Sequence, residues 1–386
     1  MKILILSAST GEGHNSSGKA ILAAMQQQGI DAEMQDLIAI ASQKASRRVS
    51  KTYVKSTEGH NVFSMVYAFA KWVSSNLNQG RRSPIYLANS LYWRKIYNYI
   101  VAGNYDAVIS VHLFAAEVLT AIKRRGKLNI PAFFVMTDYT LHAFLNDTDL
   151  DYYIIPHEDL IPLYVREGFK YDHIFPIGIP VDVPKFTTRL PKNEAREQVS
   201  KALGFKLDDN EGNWYLVMSG SMGFGNMSVL MREFVKRIRK NDRVICVCGR
   251  NERNLNTVQR DFRKEKRIVP VGYTDRVSLL MDACDVVLSK PGGITTTETI
   301  IKNIPLVHTA PIPGIESENA EFCQQRNMSV HADKPAAQVE AAIRLANDDQ
   351  AREDMLESQR RNSEPQTCKF IIDLVMHTLE DRAKKE

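Results

Sequence analysis

The feature that most constrains this chain is a repeated alternation. Apolar runs of three to five residues, too short for helices, recur between helix-length amphipathic segments. Runs so continuous suit strands buried on both faces of a parallel sheet. In the first half the runs are 3–6, 107–111, 132–136, 152–155 and 173–176, with helical periodicity at 16–28, 115–125 and 160–167. In the second half they are 214–218, 243–247, 268–271, 286–288 and 305–308, interleaved with helical patterns at 227–239, 253–262, 278–284 and 296–302. Such βαβ repetition predicts an α/β chain with doubly wound parallel sheets. With 386 residues the chain is too long for one ordinary core and suits two. Periodicity lapses between 176 and 213, where Pro176, Pro180, Pro184 and Pro191 accompany one short helical pattern at 193–203. The expected organisation is a Rossmann-like domain at 1–185, a second at 186–365, and a helix within 366–386 that packs back on the first. Two such domains are expected to face each other across a cleft at the carboxyl ends of their strands, where open α/β sheets bind ligands.

Composition narrows the function classes. The five cysteines, Cys246, Cys248, Cys284, Cys323 and Cys368, are odd in number and lack a CxxC pair, which argues against a disulfide framework or zinc site. They read as reduced core residues of a cytoplasmic protein, with Cys246 and Cys248 on one face of a strand. No run approaches the roughly 20 apolar residues of a membrane span. The longest candidate, 62–73, is interrupted by Lys71. The stretch from Lys44 to Lys95 holds ten basic residues against the single acid Glu58, a net +9 among Phe63, Tyr67, Phe69, Trp72, Tyr86, Tyr92 and Trp93. That pattern suits an anionic lipid surface or nucleic acid, or a solvated basic face over core aromatics.

Chemistry should sit where strands end. The first strand leads through Gly11 and Gly13 to His14, then Gly18 and Lys19. The dinucleotide fingerprint fails, because Ser16 stands where its third glycine belongs. The P-loop fails as well: Ala20 replaces the hydroxyl residue that would hold magnesium. What remains is an anion-binding turn carrying His14, whose imidazole, held neutral at a helix N-terminus, suits a general base. The run 132–136 delivers Asp138 to the same end of the sheet, able to take a proton itself, orient His14 or cap a helix, with His142 four residues on. His112 ends the run 107–111 equivalently.

The second half repeats the arrangement three times. The loops are Ser219, Gly220, Ser221, Met222, Gly223, Phe224 and Gly225; then Cys248, Gly249, Arg250 and Asn251; then Lys290, Pro291, Gly292, Gly293, Ile294, Thr295, Thr296 and Thr297. Gly292 and Gly293 open a helix that has Glu298 one turn in. A phosphate at the helix N-terminus would bring a ribose within reach of that carboxylate.

KPGGITTTE, followed by Glu316 and Asn319, resembles the donor-site signature of glycosyltransferase family 28. MSGSMGFGN and VGYTDRVSLLMDACDVVLS match it in order and spacing, while TGEGHNSSGKAI and VMTDYTLHAFLNDTDLDYY resemble its diacylglycerol branch. That branch contains the monogalactosyldiacylglycerol synthases and the bacterial processive diacylglycerol glucosyltransferases. The resemblance implies a GT-B fold and inverting transfer of glucose or galactose from a UDP-sugar to diacylglycerol, without cofactor or metal. It implies that Glu298 binds the ribose and that Gly272, Tyr273 and Thr274 meet uracil. The loop Ser219 to Gly225, with Met222 inside it, and the residues Gly293, Ile294 and Thr295 would hold the diphosphate, beside Gly13, Gly292, Arg250 and Asn251. Glu316 and Asn319 would face the hexose, and His112 and His142 the acceptor. His14 and Asp138 compete for the role of base. The implied partners are a UDP-sugar, a lipid acceptor and an anionic membrane met through Lys44 to Lys95, not nucleic acid; the implied place is cytoplasmic, on the inner face of the cell membrane. A prenyl-diphosphate-linked acceptor, a UDP-sugar 2-epimerase and a non-catalytic UDP-binding membrane sensor are the alternatives.

Overall fold

The apolar runs fold as parallel strands. The computed structural model describes residues 1–8, 12–41, 82–207, 212–223, 225–311 and 314–385. The chain divides into two units, one holding Met1–Val183 with Pro313–Ile315 and Gln366–Glu386, the other Pro184–Ile312 with Glu316–Pro365.

In the first unit the strands are β1 (Lys2–Ser7), β2 (Asp31–Asp36), β3 (Ala107–Ser110), β4 (Ala132–Val135), β5 (Tyr152–Ile155) and β6 (Ile174–Pro176). They form one parallel sheet in the order β2-β1-β3-β4-β5-β6, with Ile3 opposite both Ala32 and Ala107. Helices α1 (Glu12–Gln27), α2 (Leu37–Ala41), α3 (Pro84–Ser90), α4 (Trp93–Gly103), α5 (Leu113–Lys123) and α6 (Ile161–Arg166) flank it. The strand order reverses between β1 and β3, so the loops after these two strands diverge and leave a crevice at their carboxyl ends.

The second unit has α7 (Val183–Thr187) at its start, then α8 (Lys192–Leu203), β7 (Trp214–Met218), α9 (Met227–Arg237), β8 (Arg243–Val247), α10 (Glu252–Asp261), β9 (Ile268–Val271) and α11 (Val277–Ala283). It continues with β10 (Val286–Ser289), α12 (Gly293–Ile301), β11 (Leu306–His308), α13 (Ile315–Gln325), β12 (Val330–His331), α14 (Pro335–Asn347) and α15 (Asp349–Arg361). Its parallel sheet runs β12-β11-β10-β7-β8-β9, and the order reverses between β7 and β10. Alternate residues of β7 enter two cores: Tyr215 and Val217 on one face, Trp214, Leu216 and Met218 on the other. A strand buried on both faces has no polar positions, which is why its sequence reads as a continuous apolar run.

Helix α16 (Thr367–Ala383) returns to the first unit. Thr367 donates to the Ile177 carbonyl and Cys368 to that of Val181. Ile371, Ile372 and Val375 complete the core formed by Ile3, Ile5, Ile21, Met25, Ile109 and Phe133.

Three differences from the sequence expectation have physical causes. Strand β2, DAEMQD, is an edge strand with mostly half-buried side chains, so it lacks an apolar run. Strand β12 is two residues long. Helix α1 begins at Glu12 instead of residue 16, because its first turns are polar but anchored: Ser7 donates to Asn15, and buried Ser17 donates to the Pro180 carbonyl. All five cysteines are buried free thiols. Among the described residues no helix is long and apolar enough to cross a membrane. Most of the Lys44 to Lys95 stretch lies outside the described residues, as do Gly11 and Phe224.

Candidate active site

Each unit gathers functional side chains at its switch point. In the first, the earlier start of α1 puts Gly13 and His14 in that helix's first turn, next to the end of β1. The His14 Nδ1 lies 2.9 Å from the Val111 carbonyl and 3.0 Å from Thr137 Oγ1. A carbonyl only accepts, so Nδ1 carries the ring proton and Nε2 is left as the basic atom. Thr137 Oγ1 donates to Asp138 Oδ2 at 3.4 Å, and His142 Nε2 donates to the same oxygen at 3.0 Å. His14 and Asp138 are thus linked through Thr137, a residue that no sequence pattern singled out.

The surroundings hold His14 neutral. Its ring keeps a partly accessible edge but is packed by protein on its other sides, and this desolvation lowers its pKa from 6.5 to about 4. Asp138 opposes the shift and His142 adds to it. The edge of His112 meets the His14 ring at 4.6 Å between centroids. Burial keeps His112 neutral as well, and its Nδ1 accepts from the Phe114 amide as the N-cap of α5. The result is a neutral imidazole with a fixed tautomer beside the Asp138 carboxyl group.

The second unit builds a cradle from interlocked loops. Arg250 N donates to the Ser221 carbonyl at 2.9 Å, Asn251 Nδ2 to Gly223 at 2.9 Å, and Asn254 Nδ2 to Gly223 and Gly225 at 2.8 and 2.9 Å. Gly223 has φ +70°, and a Cβ there would lie 2.2 Å from the Cys248 carbonyl oxygen. Close approach of two backbones thus requires this glycine. Asn254, one turn into α10, carried no sequence signal.

After β10, Gly292 is the N-cap of α12 and makes no side-chain cap bond. The amides at 293–295 therefore lie at the positive end of the helix, where an anion is electrostatically favoured. The hydroxyls of Thr297 and Thr299 bond back to carbonyls within the helix, and Thr296 meets His308, while Thr295 stands half-buried in the first turn. Glu298, half-buried, lies one turn in. Tyr273 is 56% exposed, with the Arg250 guanidinium 4.2 Å from its ring centre; Gly272 precedes it, and Thr274 accepts from the Arg276 amide. Glu316 pairs with Lys290. Asn319 is fully buried, and its amide donates to the Pro291 carbonyl at 3.0 Å in the loop before α12. Among the described residues no group of three or more His, Cys, Asp or Glu is arranged to hold a metal ion.

The fold is that of the GT-B glycosyltransferases, with a Rossmann-like parallel sheet in each unit. The crystal structure of Acinetobacter baumannii MurG superposes with a TM-score of 0.64 over 97% of this chain and 99% of that one, at 15% identity. Residues 14–181 match the monogalactosyldiacylglycerol (MGDG) synthase family, and residues 215–365 match the glycosyltransferase family 28 C-terminal domain. The chain thus carries a monogalactosyldiacylglycerol synthase domain followed by a glycosyltransferase family 28 C-terminal domain. A processive diacylglycerol beta-glucosyltransferase of Staphylococcus aureus is 24% identical over 385 residues, 98% of this chain and 94% of that protein. Its Staphylococcus epidermidis counterpart is 25% identical over 288 residues, covering 74% and 71% respectively.

Proposed function

We propose that this enzyme transfers a hexose, glucose or galactose, from a UDP-sugar to diacylglycerol with inversion, making a β-glycosyl diacylglycerol. The observation that carries the chemistry is the tautomer of His14, with Nδ1–H committed to Val111 and Nε2 basic. The acceptor oxygen attacks the anomeric carbon, the bond from that carbon to the β-phosphate oxygen breaks, and the hydroxyl proton passes to His14 Nε2. UDP leaves with the bonding electron pair. Of the two candidate bases, His14 is favoured because Asp138 Oδ2 already accepts from Thr137 and His142. Asp138 then stabilises the imidazolium electrostatically.

The donor binds in the second unit. The loop from Ser219 to Gly225 and the amides of Gly293, Ile294 and Thr295 hold the diphosphate, with Arg250 and Asn251 bracing the loop. Glu298 accepts from the ribose hydroxyls, the backbone of Gly272, Tyr273 and Thr274 meets uracil, and Glu316 accepts from the hexose. The diacylglycerol acceptor is supported by the names of the relatives and by the match of residues 14–181. We assign the protein to the cytoplasmic face of the membrane; Arg82 and Arg94, near the exposed Leu87, Leu91 and Tyr92, suit an anionic lipid surface.

The test uses purified protein, UDP-glucose or UDP-galactose, and diacylglycerol vesicles, with UDP release and the lipid product both measured. A β-linked glycolipid is expected. No UDP release with either donor sinks the enzyme reading, and an α-linked product sinks inversion. A His14→Ala variant that keeps UDP affinity and loses turnover separates the enzyme from a UDP-binding sensor.

A further inference from the structure

We infer that Lys290 is the counter-charge for the donor's diphosphate, and that its ion pair with Glu316 is the resting position of a two-position switch. The inference rests on the donor-site reading above. Lys290 sits where three elements meet. It leaves the end of β10, its stem crosses Gly220, and its ammonium ends on Glu316 in the first turn of α13. The crossing is close: a Cβ on Gly220 would lie 2.8 Å from Lys290 Cε. A Cβ on Gly292, the residue that opens α12, would lie 3.9 Å from Glu316 Oε1. One ammonium therefore lies between the loop after β7 and the N-terminus of α12, the two backbone elements that cradle anions. The side chains of Lys290 and Glu316 are only 23% and 13% exposed, so both charges are largely removed from water.

Backbone amides offer partial charges, whereas departing UDP concentrates full negative charge on its terminal phosphate. A lysine is a compact charge on a flexible four-carbon stem, able to change partner without the backbone moving. In this arrangement Lys290 and Glu316 neutralise each other. When a diphosphate enters, the ammonium turns to a β-phosphate oxygen and the Glu316 carboxylate turns to accept from hexose hydroxyls. No proton changes hands and net charge is conserved within the pair. The exchange orders recognition: the sugar contact forms only after the diphosphate is seated. The same ammonium offsets charge on the leaving group as the glycosidic bond breaks.

The test compares UDP with UMP, which lacks the β-phosphate, by calorimetry on the full chain. Lys290→Met is expected to lose about tenfold or more in UDP affinity, the worth of a charge-assisted hydrogen bond, while UMP affinity stays within about twofold. Lys290→Arg should restore most of the loss. Because Lys290→Met removes the ion-pair partner of Glu316, the double variant Lys290→Met with Glu316→Gln provides the same comparison without that carboxylate charge. Glu316→Gln alone should keep or raise UDP affinity and lower turnover. Equal losses for UDP and UMP, or none for either, overturn the inference. If the wild-type protein binds neither nucleotide, the donor-site reading itself fails.

Discussion

The sharpest consequence of the His14 environment is its pH dependence. An ordinary histidine titrates near 6.5, but burial lowers His14 to about 4. The direction matters: in the proposed role of general base the neutral ring is the active form, so lowering the pKa extends activity toward acid. At pH 6 a base of pKa about 4 is about 99% deprotonated, whereas one at 6.5 is only about 24% deprotonated. The kcat/KM for UDP release, which reports the free enzyme, should therefore stay level from pH 8 down to about 5.5 and fall only toward 4. Circular dichroism at each pH separates loss of base from loss of fold, and the His14 ring proton resonances give the titration directly. Half-maximal kcat/KM near 6.5 in folded protein would refute the buried neutral imidazole. Replacing His14 by Ala should cost about 10²- to 10⁴-fold in kcat, the usual contribution of a general base.

Two further outcomes follow from the second unit. Gly223→Ala combines a left-handed backbone with a Cβ 2.2 Å from the Cys248 carbonyl, so UDP affinity should fall about tenfold or more while the far-ultraviolet spectrum is retained; unchanged affinity by calorimetry would remove the loop from the cradle. His308, fully buried between Thr296 and Ser329, is lowered by burial to about 3. Below pH 6.5 the unfolded chain binds the proton first, so stability drains away as pH falls from 6.5 toward 3, by about 2 kcal/mol at pH 5. Urea unfolding should show a shallower loss between pH 7 and 5 in His308→Gln, and parallel losses would contradict that assignment.

The strands were legible because burial on both faces leaves only apolar residues, as in WYLVM of β7. The edge strand β2 escaped because one side meets less protein and tolerates Glu33 and Gln35. In the site, loops at strand ends pointed to His14, Asp138 and the glycines, since local chemistry is written in adjacent residues. Asp138 and His142 are four apart, so even their bond is a local matter. Thr137 against His14, Lys290 over Gly220 and Asn254 beneath the cradle join residues distant in sequence, and only the sheet topology brings them together. The Asn319 bond to the Pro291 carbonyl is another such pairing, 28 residues apart.

Helix α16 gives the chain a schedule. The ribosome makes β1 to β6 first, yet Ile371, Ile372 and Val375, which close that unit's core, emerge only after the whole second unit. At about 5–20 residues per second the interval is about 10–40 s. Throughout it Ile21 and Met25 await their partners, a span in which chaperones have most to cover. A chain released early would leave the first unit's core without Ile371, Ile372 and Val375 while the second unit is already complete.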